Sequence, residues 1–221
     1  ICCLIDETVK EGAKVVAFPE LCVTGYTCGD LFTQEVLLKE ARAALHKIAR
    51  HTKGKDALIF VGVPVAVEGK LYNVAAALNQ GKILGLTTKS FLPNYGEFYE
   101  MRQFTEGPSA AREILFDGEK MPFGPQLLFV ADSMESLVVS AEICEDAWSS
   151  VPPSIEAARE GAVIIANCSA SDETVGKSTY RRNLIEGQSA RLICGYLYAN
   201  AGEGESTTDL VFGGHNLIAE N

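Results

Sequence analysis

No stretch of this 221-residue chain comes near the roughly 20 consecutive apolar residues that a membrane-spanning helix needs, and no signal peptide is visible. Histidine is scarce. The three, His46, His51 and His215, match no metal-ligand spacing, and the first two stand five apart on a helix, on different faces, so no metal site is expected. Basic residues are outnumbered 19 to 29, for a net charge of −10, and nowhere do they interleave with aromatics. That balance argues against nucleic acid or an anionic membrane as a partner. A phosphate loop is missing too: Gly202-Glu203-Gly204-Glu205-Ser206 is acidic and lacks the following Gly-Lys. There is no paired-cysteine framework. Seven cysteines, at 2, 3, 22, 28, 144, 168 and 194, are odd in number and irregularly spaced, and several lie inside apolar strands. They read as reduced thiols of a cytoplasmic protein.

What is present is an ordinary globular chain, 47% hydrophobic, long enough for one large domain. Helix-length and strand-length segments alternate, which predicts an α/β class. Leu37, Leu38, Ala41, Ala44, Leu45 and Ile48 recur at helical spacing, predicting an amphipathic helix over about 34–52. Strands are expected at 58–64, 71–78, 82–87, 127–130, 137–141, 195–201 and 217–219, with helices at 153–160 and about 177–193. Asn79-Gln80-Gly81 reads as a hairpin turn. Residues 91–125 read as irregular, a candidate pocket lining. Glu11-Gly12-Ala13-Lys14-Val15-Val16-Ala17-Phe18 echoes Glu160-Gly161-Ala162-Val163-Ile164-Ile165-Ala166-Asn167, as if two similar halves faced each other in a two-sheet sandwich with helices outside. The first ten residues look like the second half of an amphipathic helix and the last five carry no stop signal, so the chain reads as a segment of a longer polypeptide, incomplete at both ends.

Three apolar strands end on chemistry. Val15-Val16-Ala17-Phe18 runs into Pro19-Glu20, Ile83 to Thr88 runs into Lys89, and Val138 to Ile143 runs into Cys144. A carboxylate, a cation and a thiol at strand ends are a base, an oxyanion stabiliser and a nucleophile, sufficient for acyl transfer through a thioester. Each alone has a plain alternative: a solvated loop acid, a surface lysine, a small core residue. Glu142, Glu145 and Asp146 would raise the thiol pKa if they lay close, so the nucleophile needs Lys89 and Glu20 nearby. Glu97 or Glu100 could hold Lys89 charged, and Glu97 is the preferred candidate.

Together these stretches resemble the nitrilase, or carbon–nitrogen hydrolase, superfamily, whose catalytic set is Glu, Lys and Cys. Phe18 to Phe32, Lys89 to Phe104 and Glu142 to Trp148 carry the likeness. The tail Gln188-Ser189-Ala190-Arg191 and Tyr198 to His215 resembles the glutaminase domains of glutamine-dependent NAD⁺ synthetases more than generic amidases. The resemblance implies a four-layer α-β-β-α sandwich and a catalytic set of Glu20, Lys89 and Cys144, with Glu97 and Glu145 in support. It implies that Tyr26, Tyr95, Phe98, Ser171 and Lys177 border a pocket for L-glutamine. It also implies a following synthetase domain that would use ATP and Mg²⁺, no cofactor in this domain, and a homo-oligomer. A stand-alone amidase or N-carbamoyl hydrolase is the nearest alternative, and a non-catalytic assembly module is one from another class.

Overall fold

The structure, a computed structural model, describes residues 1–220. In chain order its elements are α1 (Cys2–Lys10), β1 (Val15–Ala17), α2 (Glu35–His51), β2 (Leu58–Val67), β3 (Lys70–Asn79), β4 (Lys82–Thr88), β5 (Arg112–Phe116), β6 (Glu119–Gly124), β7 (Leu128–Ala131), β8 (Met134–Ile143), α3 (Pro153–Arg159), β9 (Ile164–Ser169), α4 (Lys177–Leu192), β10 (Gly195–Asn200) and β11 (Leu217–Ala219). Short 3₁₀ turns at Tyr26–Thr33, Glu100–Arg102, Cys144–Trp148 and Glu203–Glu205 lie between them.

The strands form two sheets, ordered β1-β2-β3-β4-β6-β5 and β11-β10-β9-β8-β7. Alternation along the strands makes three apolar layers. On β2 and β3, Ile59, Val61, Val63, Val74, Ala76 and Leu78 face outward to Leu45 and Ile48 of α2 and Ile5 of α1. Phe60, Ala75 and Ala77 face inward to Val139, Ala141, Ile143 and Ala166 of the second sheet. Beyond that sheet, Ile165, Tyr196 and Tyr198 pack with Ala157 of α3 and Ile185 of α4. Three buried interfaces between four layers define an α-β-β-α sandwich, because each sheet has two apolar faces and each helix one. Small residues fill much of the middle layer and let the sheets pack closely.

The turn after β3 has Gln80 and Gly81 both at positive φ, 48° and 86°, the geometry whose twist suits a two-residue hairpin. The irregular stretch expected at 91–125 needs a correction: β5 and β6 form a hairpin there, in register Ile114↔Met121 and Phe116↔Glu119. Its turn is Asp117-Gly118, again both at positive φ, and Ile114, Phe116, Met121 and Phe123 bury its inner face. Pro122, which has no N–H to donate, is accommodated because β4 pairs only with Phe123 and Gly124.

β1 pairs parallel with β2, and β8, β9 and β10 are mutually parallel. β4, two antiparallel steps from β2, runs the same way as β1. Residues that follow β1, β4 and β8 therefore emerge at the carboxyl ends of their strands, where open α/β sheets hold their ligands.

Candidate active site

Glu20, Lys89 and Cys144 lie at those carboxyl ends, with relative exposures of 1%, 1% and 5%. The segment carrying Glu20 crosses directly over β2. A Cβ on Gly62 would stand 2.2 Å from the Leu21 nitrogen and 2.5 Å from the Pro19 oxygen, so only glycine lets the two backbones approach. The Val23 N–H donates to the Gly62 carbonyl at 3.1 Å, and the Glu20 N–H reaches across to the Ser169 carbonyl of the second sheet at 3.2 Å.

Lys89 Nζ donates to Glu20 Oε1 and to Glu100 Oε1, both at 2.6 Å. The carboxylate supporting the lysine is therefore Glu100 and not Glu97. The Glu100 N–H bonds the Pro93 carbonyl and its own carbonyl accepts from Phe104, which turns its side chain inward. Glu97 stays half-buried in the wall of a small neighbouring cleft, with Tyr26, Phe98, Glu100, Phe104 and Leu210. Asn73 Nδ2 donates to Glu20 Oε1 at 2.6 Å, the Ala170 N–H to Glu20 Oε2 at 3.0 Å, and the Tyr26 hydroxyl to Glu100 Oε1 at 2.7 Å. Two buried carboxylates thus share one ammonium and three neutral donors. Burial alone would depress the Lys89 pKa, but the Glu100 and Glu20 charges overcome it and hold the lysine well above its usual value. Burial pushes Glu100 up to about 7 against the pull of Lys89 and Tyr26.

Cys144 directly follows β8 at φ 45°, a left-handed conformation that costs a non-glycine residue about 1 kcal/mol or more. Two buried side chains hold this turn. Asn167 Oδ1 accepts the Cys144 N–H at 3.1 Å, and Asp146 Oδ2 accepts the Ile143 N–H at 2.9 Å. The other Asp146 oxygen accepts the Ser90 and Phe91 N–H groups, both at 2.9 Å, tying the segment after Lys89 to the one before Cys144. Burial, then the Glu20 and Glu100 charges, raise the Cys144 thiol well above its ordinary pKa, while Lys89 opposes them. The adjacent acids are engaged elsewhere: Glu142 accepts from the Tyr196 hydroxyl and the Ser154 N–H, and the half-buried Glu145 from the Tyr95 hydroxyl at 2.9 Å.

The other expected pocket residues cluster beside this centre. Lys177 Nζ lies 5.7 Å from the Phe98 ring and 5.6 Å from the Trp148 ring, and it pairs with Asp172. Tyr95 meets Phe98 edge-on, with ring centroids 6.1 Å apart. Ser171 donates its N–H to Asn200 at 2.8 Å, and its hydroxyl accepts from the buried Arg181 at 3.3 Å. Sequence reasoning passed over Asn73 and Asn167 and read Asp146 only as a charge near the thiol. Their signal was a polar residue within or just beyond an apolar strand, since a fully buried polar group must be hydrogen-bonded. Among the described residues, no three His, Cys, Asp or Glu side chains converge as metal ligands.

This arrangement has known counterparts. The carbon-nitrogen hydrolase family description matches residues 1–220. The glutamine-dependent NAD(+) synthetase of Mycobacterium tuberculosis H37Rv is 41% identical over 211 residues, 96% of this chain and 31% of that protein. The crystal structure of a glutamine-dependent NAD(+) synthetase from Cytophaga hutchinsonii superposes with a TM-score of 0.88 at 32% identity, over 99% of this chain and 35% of that one. A nitrilase-superfamily amidase from Nesterenkonia shares the fold, with a TM-score of 0.71 at 20% identity over 98% of this chain and 75% of that one. The chain thus spans about a third of the length of the synthetases it matches. It belongs to the carbon–nitrogen hydrolase family.

Proposed function

We propose that this chain is the glutaminase portion of a glutamine-dependent NAD⁺ synthetase, releasing ammonia from L-glutamine through a thioester on Cys144. The observation that carries the reading is the buried contact of Lys89 with Glu20, beside a cysteine held at positive φ on a strand end. The 41% identity with the mycobacterial synthetase favours glutamine over other amides.

Glu20 is the base. The Cys144 thiol is protonated at rest, because burial disfavours its thiolate, so its proton must leave as sulfur attacks the γ-carboxamide carbon. Carbonyl π electrons move to oxygen, where Lys89 and the Glu145 N–H stabilise the tetrahedral oxyanion. Collapse breaks the C–N bond, and the proton held by Glu20 passes to the departing nitrogen, giving ammonia and a γ-glutamyl thioester. Water then gives a proton to Glu20 as its oxygen attacks the thioester carbon. The C–S bond breaks, and the sulfur regains a proton as glutamate forms. Lys89 keeps its proton throughout, because Glu100 and Glu20 both favour its charged form. Glu145 with Tyr95 supplies an acid for the substrate ammonium, and Lys177 and Ser171 supply donors for its carboxylate, between the Phe98 and Trp148 rings. ATP and Mg²⁺ belong to a synthetase portion of the polypeptide, the partner that would consume the ammonia, and the whole enzyme is a homo-oligomer.

The test is intact-mass spectrometry with peptide mapping after treatment with a diazoketone analogue of glutamine. A single adduct on Cys144, blocked by glutamine and not by simple amides, is expected. An adduct on Cys144 that simple amides block and glutamine does not would overturn the glutaminase reading in favour of an amidase.

A further inference from the structure

The loop between β10 and β11 reaches back over the start of the chain. Glu205 Oε2 accepts the Tyr26 N–H at 2.9 Å and the Thr27 N–H at 3.4 Å, and the Thr27 hydroxyl donates to the same oxygen at 3.4 Å. These are among the first N–H groups of the 3₁₀ turn at Tyr26–Thr33, which have no partner within the turn. The fit is close: a Cβ on Gly25, which sits at φ +95°, would stand 3.0 Å from Glu205 Oε1. The loop also grips the Tyr26 ring, for Phe212 meets it edge-on at 6.0 Å. It is internally braced by the Phe212 N–H on Ser206 Oγ at 2.9 Å and by paired backbone bonds between Thr207 and Leu210. Tyr26 in turn donates to Glu100 Oε1, the same oxygen that accepts from Lys89, while Glu100 Oε2 is buried without a partner. Glu100 therefore depends on one oxygen for all its support.

We propose that Glu205 is a positioning residue for Lys89, acting through the Tyr26 backbone and the Tyr26–Glu100 hydrogen bond, so that the 202–212 loop sets the state of the buried cluster that works on Cys144. This rests on the thioester chemistry proposed above but not on the identity of the amide.

The charged and titratable groups around Glu100 are Lys89, Glu20, Tyr26 and, through the cluster, Cys144. Those that sense Glu205 are the Cys22 and Cys28 thiols. Removing the negative charge of Glu205 would, as a through-space effect, make Glu100 easier to ionise. Loosening Tyr26 would do the opposite, because its hydrogen bond favours the Glu100 carboxylate. The two explanations predict shifts of opposite sign.

The experiment is the pH titration of the Glu100 side-chain carboxyl, followed by ¹³C NMR in the intact protein, which needs no substrate. Tyr26→Phe is expected to move its midpoint up by about 1 pH unit and Glu205→Ala by about half a unit. Glu205→Asp, which keeps the charge but is too short to reach the Tyr26 N–H, should match Glu205→Ala and also stands in for it if that variant does not fold. Glu205→Gln, which keeps an acceptor, should restore the parent midpoint. The double variant Glu205→Ala/Tyr26→Phe should shift no further than Tyr26→Phe alone. An unmoved or lowered midpoint in folded Glu205→Ala or Glu205→Asp, or additive shifts in the double variant, would overturn the proposal. Glutamine hydrolysis by the unmodified protein, measured separately, reports on the glutaminase reading alone.

Discussion

The 3₁₀ turn Glu100–Arg102 is joined to the turn Tyr26–Thr33 twice, once on the inside and once on the outside. Inside, Tyr26 donates to Glu100, which also pairs with Lys89 at 2.6 Å, and the side chains of Lys89 and Glu100 are 0% and 6% exposed. Outside, Arg102 grips Asp30 with two bonds of 2.7 and 2.8 Å, the side chains 63% and 64% exposed. The distances are nearly the same and the consequences are not. Arg102 holds Asp30 down to about 2, well below the usual carboxylate range, because hydrogen bonding faces little desolvation there. Glu100, with a cation just as near, is pushed up because burial outweighs its partners. An ion pair on the surface trades one good solvent for another set of partners; an ion pair in the core is a functional group whose protonation the fold controls.

The largest expected break in that comparison is Lys89→Met. It leaves two buried carboxylates facing each other, so hydrolysis should be lost and stability should fall by about 3–5 kcal/mol near neutral pH. The deficit should shrink on acidification, as Glu100 takes up a proton. Denaturant melts near pH 5 and pH 8 check this, and an equal deficit at both would mean that Lys89 does not hold the pair.

A smaller effect sharpens the role of Cys144. Cys144→Ala and Cys144→Gly should both abolish turnover, but the glycine variant should be the more stable of the two by about 1 kcal/mol, because only it relieves the positive φ. Equal melting midpoints would show that the neighbouring bonds, from Asn167 and Asp146, leave no strain to release.

The buried acids make a further prediction. Burial and the Glu142 charge raise Asp146 from an ordinary 3.8 to about 8, and Glu100 is raised in the same sense. The folded protein then binds more protons than the unfolded chain between about pH 4 and pH 8, so this contribution is full at the acidic end and is lost as pH rises through the folded pKa. Asp146→Asn should flatten that fall in a melting series across the window. The smallest effect belongs to the outer bridge: Arg102→Ala should leave kcat unchanged and barely move the melting temperature, and a loss of activity there would mean the two turns act as one unit.

The echo between the two halves and the period of each strand were readable because burial on both faces of a sheet forces near-continuous apolar runs. The β5–β6 hairpin carried an Asp-Gly turn as clear as the Gln-Gly turn before β4, but its strands are short and polar on the outer face, so periodicity alone did not raise it above its irregular surroundings. Glu20, Lys89 and Cys144 stood out for a physical reason: a reactive group closing an apolar run has little to do for packing. Glu97 and Glu100, three residues apart, could not be ranked in this way, since the choice depends on how the Pro93–Phe104 segment folds on itself.

By itself the sequence determined the class of fold and the strand ends that bear the three reactive groups, because these follow from local periodicity and residue type; the family came from its resemblance to the carbon–nitrogen hydrolases. Only the tertiary structure decided which carboxylate meets Lys89, that Asn73 and the Ala170 N–H steady Glu20, and that Glu205 reaches Tyr26 from 179 residues away. Those contacts join segments distant in the chain, and their chemistry arises from burial, which no single stretch of sequence carries.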